Sequence, residues 1–167
     1  FADCSGPVIA VSDYLKSLPG GIARWMPRHF TVLGTDVFGV SESRPDLRAW
    51  FEVSAEYIAY AALSALAEQI ALTRPLAVGE IGLDWYVDGL DRERQQRLLE
   101  AQLEIAEQAG LPVVLHVRKA HDAMLNTLRR YRLPGGFCHA FNGSLQQAAR
   151  YTELGFRLGF GGMLTFE

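Results

Sequence analysis

Cysteine is almost absent from this chain of 167 residues: there are two, Cys4 and Cys138, far apart in sequence. Two distant cysteines build no disulfide framework and fit a reducing compartment, so a cytoplasmic protein is expected. Long apolar runs are lacking as well. None approaches the roughly 18 residues of a membrane span, and no signal peptide is visible. Charge of neither sign accumulates: Lys and Arg number 16 against 19 Asp and Glu, a net charge of −3. That excludes a general polyanion binder, and a nucleic-acid substrate would need a local basic patch. Low-complexity tracts and obvious repeats are also missing. The chain starts at Phe1 without Met and stops at Glu167 just after a strand-like run, so both ends read as cut.

What remains is an ordinary globular composition, 49% hydrophobic and 21% charged. The length suits one domain, or at most two small ones, with a proper core. Apolar runs alternate with helical patterns. "PVIAVS" (7–12) and "FTVLGTD" (30–36) read as strands. Between them "YLKSLPGGIARWM" is helical but broken at Pro19-Gly20-Gly21. "FGVSESRPDLRAWFEV" is loop-like, with a short helical turn at 46–50. Ser54 caps a long Ala-rich helix to about Leu72, apolar on most sides and therefore expected to be buried or at an interface.

Four more strands follow: "RPLAVGE", "LPVVLHV", "GGFCHAF" and "FRLGFGG". Asp91 opens a helix with Leu99, Leu103 and Ala106 on one face, and Gly110 stops it. "AHDAMLNTLRRYR" aligns Met124, Leu128 and Tyr131. Ser144 and Gln147 make a capping box for a helix that Gly155 closes. This alternation predicts an α/β fold of about six mainly parallel strands with right-handed crossovers. Strands left without neighbours expose edges, which favours a homo-oligomer.

Three of the strands end in metal-ligand residues: "LAVGE" in Glu80, "PVVLH" in His116, "GFCH" in His139. In parallel α/β folds ligands collect at the carboxyl ends of strands. Two imidazoles and one carboxylate, with a position open for water, form a standard catalytic metal set. Such an ion lowers the pKa of bound water to about 7 and polarises a phosphoryl or carbonyl oxygen. Each residue also has a plainer reading. A lone strand-end histidine is commonly structural, and Glu80 between two glycines also suits a helix cap or a salt bridge. Asp84 reads as a carboxylate that orients a ligand or takes a proton from water, or as a turn residue. Arg118 and Lys119 suit a phosphate, or simply solvent. His121 stands at a helix start or on the surface.

From about residue 74 onward the chain resembles the TatD family of metal-dependent hydrolases. The stretches "AVGEIGLDWY", "RERQQRLLEAQLEIAEQAGLPVVLHVRKAHDAML", "HAFNGSLQQAARYTELGFRLGFGG" and "MLTF" carry the likeness. The resemblance implies a TIM-like barrel, a metal centre and deoxyribonuclease or phosphodiesterase activity. It implies that Glu80 is the shared ligand and that His116 and His139 ligate one metal position, with Zn, Mn or Mg as the ion. The family's first-strand His-x-His pair is not in this chain, where the other histidines are His29 and His121. Nor is its last-strand Asp, since the chain stops at "MLTFE".

Residues 6–69 instead resemble the C-terminal domain of the dehydrogenase component of the pyruvate dehydrogenase complex. "VLGTD", "FGVSESR" and "FEV" carry that match, with Val37 where that family usually has Gly. The resemblance implies an assembly role and no thiamine chemistry. The two likenesses meet inside one helix, near 68–73. The expectation is a single α/β domain over 1–167, half of a TIM-like barrel joined to two βα units of a doubly wound sheet. The function expected first is an engineered or recombined chimera that carries part of a TatD-like hydrolase site with native activity lost or very low; the alternatives are a metal-dependent deoxyribonuclease, with Asp84 assisting the water and nucleic acid as partner, and a non-catalytic structural or assembly module.

Overall fold

The computed structural model describes residues 6–26, 30–36 and 41–162. Cys4, His29, the turn at Val37 and the "MLTF" stretch lie outside the described residues. The chain divides into two compact units, Phe1–Arg74 and Pro75–Glu167. The helix expected to carry the junction ends at Thr73, immediately before that boundary. Among the described residues six strands pair in parallel, two in the first unit and four in the second.

In the first unit β1 (Val8–Val11) pairs with β2 (Phe30–Leu33), from Val8 opposite Phe30 to Val11 opposite Leu33. Pro19 and the two glycines cut the segment between them into a single helical turn, α1 (Ser17–Gly20), and a 3-10 turn over Ala23–Trp25. Helix α2 (Arg44–Trp50) starts earlier than the sequence pattern suggests. Ser43 caps it by accepting the Asp46 amide, and Pro45 fits its first turn, where no amide is needed. Arg48 on α2 reaches back to both carboxylate oxygens of Asp13, at 3.3 and 2.7 Å, and the bond holds that carboxyl below its ordinary range.

Helix α3 (Ala55–Thr73) begins where expected, but Ser54 spends its hydroxyl on Glu56 Oε2 at 2.8 Å instead of a backbone amide. Its burial is less than its composition suggests. Ala65 and Ile70 are buried, whereas Tyr60 and Leu72 are 72% and 66% exposed. An all-round apolar sequence has no preferred face, and a small two-stranded sheet can cover only one side of it.

The second unit is a four-stranded sheet in the order β3 (Val78–Asp84), β4 (Val113–Arg118), β5 (Gly136–His139), β6 (Phe156–Leu158). Its helices are α4 (Arg92–Ala109), α5 (His121–Leu128) and α6 (Leu145–Glu153). Asp91 caps α4 through the Arg94 amide at 3.0 Å, and Gly110 closes it at φ 64°. Ser144 and Gln147 form the full capping box of α6. Leu99 and Leu103 of α4, Met124 and Leu125 of α5 and Tyr151 of α6 are fully buried, as are Leu83, Val113, Leu115 and Cys138 on the strands. Each such large side chain contributes about 1.5–3 kcal/mol. This helix-covered side of the sheet is the core of the unit.

Strands β3 and β4 run further than their polar residues suggest, to Asp84 and Arg118. Their pairing carries one irregularity. Val78 faces Val113 and Ile81 faces Leu115, so three steps of β3 span two of β4. The extra residue is a bulge at Gly79–Glu80, which resets which way the following side chains point. After it Ile81 and Leu83 enter the core, and Glu80, Gly82 and Asp84 alternate onto the opposite face. The strands approach closely there. A Cβ on Gly82 would stand 1.7 Å from the His116 carbonyl oxygen, and one on Gly79 would stand 2.7 Å from the Val114 Cβ. The side-chain amide of Gln95 on α4 then locks the strand end, donating to Asp84 O and accepting from Asp84 N, both at 2.9 Å.

Two outcomes follow for this unit. Gly82→Ala forces the paired strands apart and lowers its unfolding free energy by at least about 2 kcal/mol, read by urea denaturation. Glu100 accepts from Gln96 at 2.7 Å and pairs with Arg130, and these bonds hold its carboxyl below the ordinary value of 4.5. A lowered folded-state pKa stabilises the fold above the unfolded value and stops doing so as pH falls through the folded one. The stability gap between wild type and Glu100→Gln is therefore full near neutrality and closes on acidification below 4.5; a gap that persists there would contradict the assignment.

Candidate metal centre

The polar residues of β3, β4 and β5 lie on the sheet face opposite the helices. Register accounts for this. Gly82 pairs with His116, Asp84 with Arg118, and His116 with His139. Burial alternates along β4, with Val113, Leu115 and Val117 in the core and Val114, His116 and Arg118 outside it. On β5, Cys138 is buried between the exposed Phe137 and His139. Glu80 reaches the same face through the bulge. Of the three expected ligands, only His139 ends its strand; Glu80 sits within β3 and His116 two residues before the end of β4.

The three residues meet. Glu80 Oε1 lies 3.1 Å from Nδ1 of His139 and 3.5 Å from Nδ1 of His116. Their side chains are 42%, 59% and 41% exposed, so solvent reaches all three. His116 turns its other nitrogen, Nε2, to Asp84 Oδ2 at 3.4 Å. Asp84 is therefore more than a turn residue. Its Oδ1 accepts the Tyr86 amide at 2.9 Å, and its Oδ2 also faces Arg118 Nη1 at 3.5 Å. Partial burial raises the Asp84 pKa, but the Tyr86 amide, His116 and Arg118 outweigh it and hold the carboxyl below its ordinary value. Cys138, directly beneath on the core side, is the reverse case. Burial and the nearby Glu80 carboxylate push its thiol up to about 11, so it stays a protonated core residue.

The donor chemistry and spacing suit a cation. Ligand atoms about 2.0–2.2 Å from a tetrahedral ion stand about 3.3–3.6 Å apart, and Glu80 Oε1 lies 3.1 and 3.5 Å from the two imidazoles. As the side chains stand, however, no group of three or more His, Cys, Asp or Glu among the described residues is arranged to hold a metal ion. The contacts are pairwise, both imidazoles addressing Glu80, and an ion would have to replace them.

The face opens into a hollow of about 640 Å³ lined by Glu80, His116, His139, Tyr86, Arg118, Lys119 and Asn142. The two histidine-bearing strands are each followed by a residue of left-handed backbone, Lys119 at φ 52° after β4 and Ala140 at φ 47° after β5. Non-glycine residues in that region are strained and concentrate at functional sites. His121, first residue of α5, is buried. It bonds Asn142 Oδ1 at 2.9 Å and the Tyr151 hydroxyl at 3.2 Å, and packs on Phe141. It anchors the loop after His139 and is neither a surface residue nor part of the cluster. Tyr86, Asn142 and Gln95 were not legible as site residues; an aromatic beside "GLD" and an amide in "FNGS" were the only signals.

The described residues contain no helix long and apolar enough to cross a membrane. Residues 27–167 match the family described as TatD related DNase, reaching back well before the resemblance that begins near 74. The uncharacterised metal-dependent hydrolase YjjV of Escherichia coli K12 is 50% identical over 92 residues, 54% of this chain and 36% of that protein. The crystal structure of YjjV superposes with a TM-score of 0.61 at 32% identity, covering 96% of this chain and 58% of that one. The pyruvate dehydrogenase E1 component of Mycolicibacterium smegmatis is 47% identical over 66 residues, 40% of this chain and 7% of that enzyme. The chain thus spans less than two thirds of the length of each of these relatives. With the family match extending over most of its length, the chain belongs to the TatD-related DNase family.

Proposed function

We propose that this chain carries one metal position of a metal-dependent phosphodiester hydrolase, held by Glu80, His116 and His139, and that it acts on nucleic acid slowly. The observation that carries the reading is the approach of Glu80 Oε1 to both imidazoles on the open face of the sheet. Zn, Mn or Mg bound there would lower the pKa of a bound water and polarise a phosphoryl oxygen.

The residues around the cluster have separable tasks. Asp84 faces Nε2 of His116 at 3.4 Å; in the tautomer that donates Nε2–H to it, the Nδ1 lone pair points to the Glu80 side. Both its oxygens are engaged, so the geometry favours an orienting carboxylate over a base that takes a proton from water. Arg118, tethered by Asp84, keeps further N–H groups free for a phosphate oxygen. His139, the most exposed of the three ligands, is the one a substrate meets first. A single ion leaves the departing oxygen without the second cation that paired-metal hydrolases place there, which supports a low turnover. The 47% identity of 66 residues to a pyruvate dehydrogenase E1 component supports a second ancestry for part of the chain, as in a recombined protein. Among the described residues the outer strands of the four-stranded sheet, β3 and β6, each pair on one side only, which supports self-association.

Calorimetric titration of Zn and Mn into the chelator-stripped chain should give one site per chain, lost in both Glu80→Ala and His139→Ala. With metal restored, hydrolysis of bis(p-nitrophenyl) phosphate should be slow, and Glu80→Ala should reduce it about 100-fold or more. Absent metal binding, or binding indifferent to both substitutions, overturns the reading.

A further inference from the structure

Beside the metal cluster the chain presents an aromatic ring under two cations. Tyr86 follows β3 by two residues and is 53% exposed. The Arg118 guanidinium carbon lies 4.0 Å from its ring centroid, and the Lys119 ammonium 4.9 Å. All three line the hollow that holds Glu80, His116 and His139. The arrangement is braced from several sides. Asp84 accepts the Tyr86 amide and faces Arg118, while the left-handed backbone at Lys119 brings its side chain back over the ring. A tyrosine under two cations at a polar site, with half its surface open, is not explained by packing.

From this we propose that Tyr86 is a specificity-determining residue. It stacks an unpaired base of the substrate while Arg118 and Lys119 hold the phosphate next to it, so the site prefers phosphodiesters that carry a planar ring near the scissile bond. The inference rests on the phosphodiesterase reading above and extends it. Aromatic side chains and guanidinium planes both accept a stacked base, and the neighbouring cations suit the backbone that links base to base. The chain's net charge of −3 makes this local basic pair the more telling, because attraction for a polyanion must come from such a patch and not from the whole surface. Lys119 is a flexible point charge that needs only a phosphate nearby, whereas Arg118, tied at one edge by Asp84, offers a fixed planar fork. Ring recognition therefore belongs to Tyr86, and sequence-independent attraction to the cations.

The test is equilibrium binding by fluorescence anisotropy, using the full chain in excess chelator so that no hydrolysis occurs. The probes are a labelled thymidine strand of about six nucleotides, within the usual footprint of single-strand binders, and an abasic strand of equal length. Wild type should bind the thymidine strand more tightly than the abasic one. Tyr86→Leu should weaken thymidine binding about 5- to 100-fold, the span expected for one lost base–aromatic stack, and leave abasic binding unchanged. Tyr86→Phe should keep the preference. Lys119→Ala should weaken both strands alike. A thymidine preference that survives Tyr86→Leu, or no measurable binding of either strand, overturns the proposal. Because the readout needs neither metal nor turnover, the two readings fail separately. A ring preference lost in Tyr86→Leu without any metal-dependent hydrolysis would sink the hydrolase reading alone. Hydrolysis with no role for Tyr86 would sink only this one.

Discussion

The site depends on how closely β3 approaches β4. Two strands can carry a carboxylate and an imidazole to the same place only if their backbones pair tightly and their side chains point the same way. The sequence solves the first requirement with Gly79 and Gly82, where any Cβ would collide with Val114 or with the His116 carbonyl. It solves the second with a bulge, the extra residue between the Val78 and Ile81 pairings. Without the bulge, regular alternation of this same sequence would put Glu80 and Asp84 on the buried side with Val78. With it, Ile81 and Leu83 enter the core and the two carboxylates face out beside His116. Glu80 between two glycines is therefore not a stray charge in an apolar run. The glycines are the condition for its placement.

The rest of the second unit stabilises that arrangement. Helix α4 holds β3 through the Gln95 amide on the Asp84 backbone, and through Leu99, Leu103 and Ala106 in the core. Beyond Glu80, His116 and His139, His121 ties the loop after His139 to α5 and α6 through Asn142 and Tyr151. The open face remains polar and reachable, with Tyr86, Arg118 and Lys119 at its margin. Core on one side and chemistry on the other is the division that a sheet's period-two alternation gives, reset once here by the bulge in β3.

Much of this was legible in the sequence. The alternation of apolar runs and helical patterns located all six strands, and the caps at Asp91 and Ser144 and the stop at Gly110 are as their residue types require. Glu80, His116 and His139 stood out because polar residues at the end of apolar runs are chemically conspicuous. Other features were hidden for physical reasons. A bulge leaves no mark in composition, so β3 seemed to stop at its first polar residue, Glu80. The apolar sequence of α3 suggested burial, but burial depends on what else is there to cover it, and Tyr60 and Leu72 remain exposed. His121 gave no sign of its partners because Asn142 and Tyr151 lie 21 and 30 residues away. Tyr86 is placed by the Asp84–amide bond and by the cations of the neighbouring strand, neither of which a linear pattern contains.

The central claim is that three consecutive strands bring one carboxylate and two imidazoles to a single point that a cation can occupy. X-ray absorption at the zinc edge, on the full chain loaded with one equivalent of zinc, tests it most directly. The account predicts a mixed nitrogen and oxygen shell at about 2.0–2.1 Å with the outer-shell scattering of two imidazoles, falling to one imidazole in His139→Ala. A shell of oxygen alone, or an imidazole count unchanged by that substitution, would contradict it.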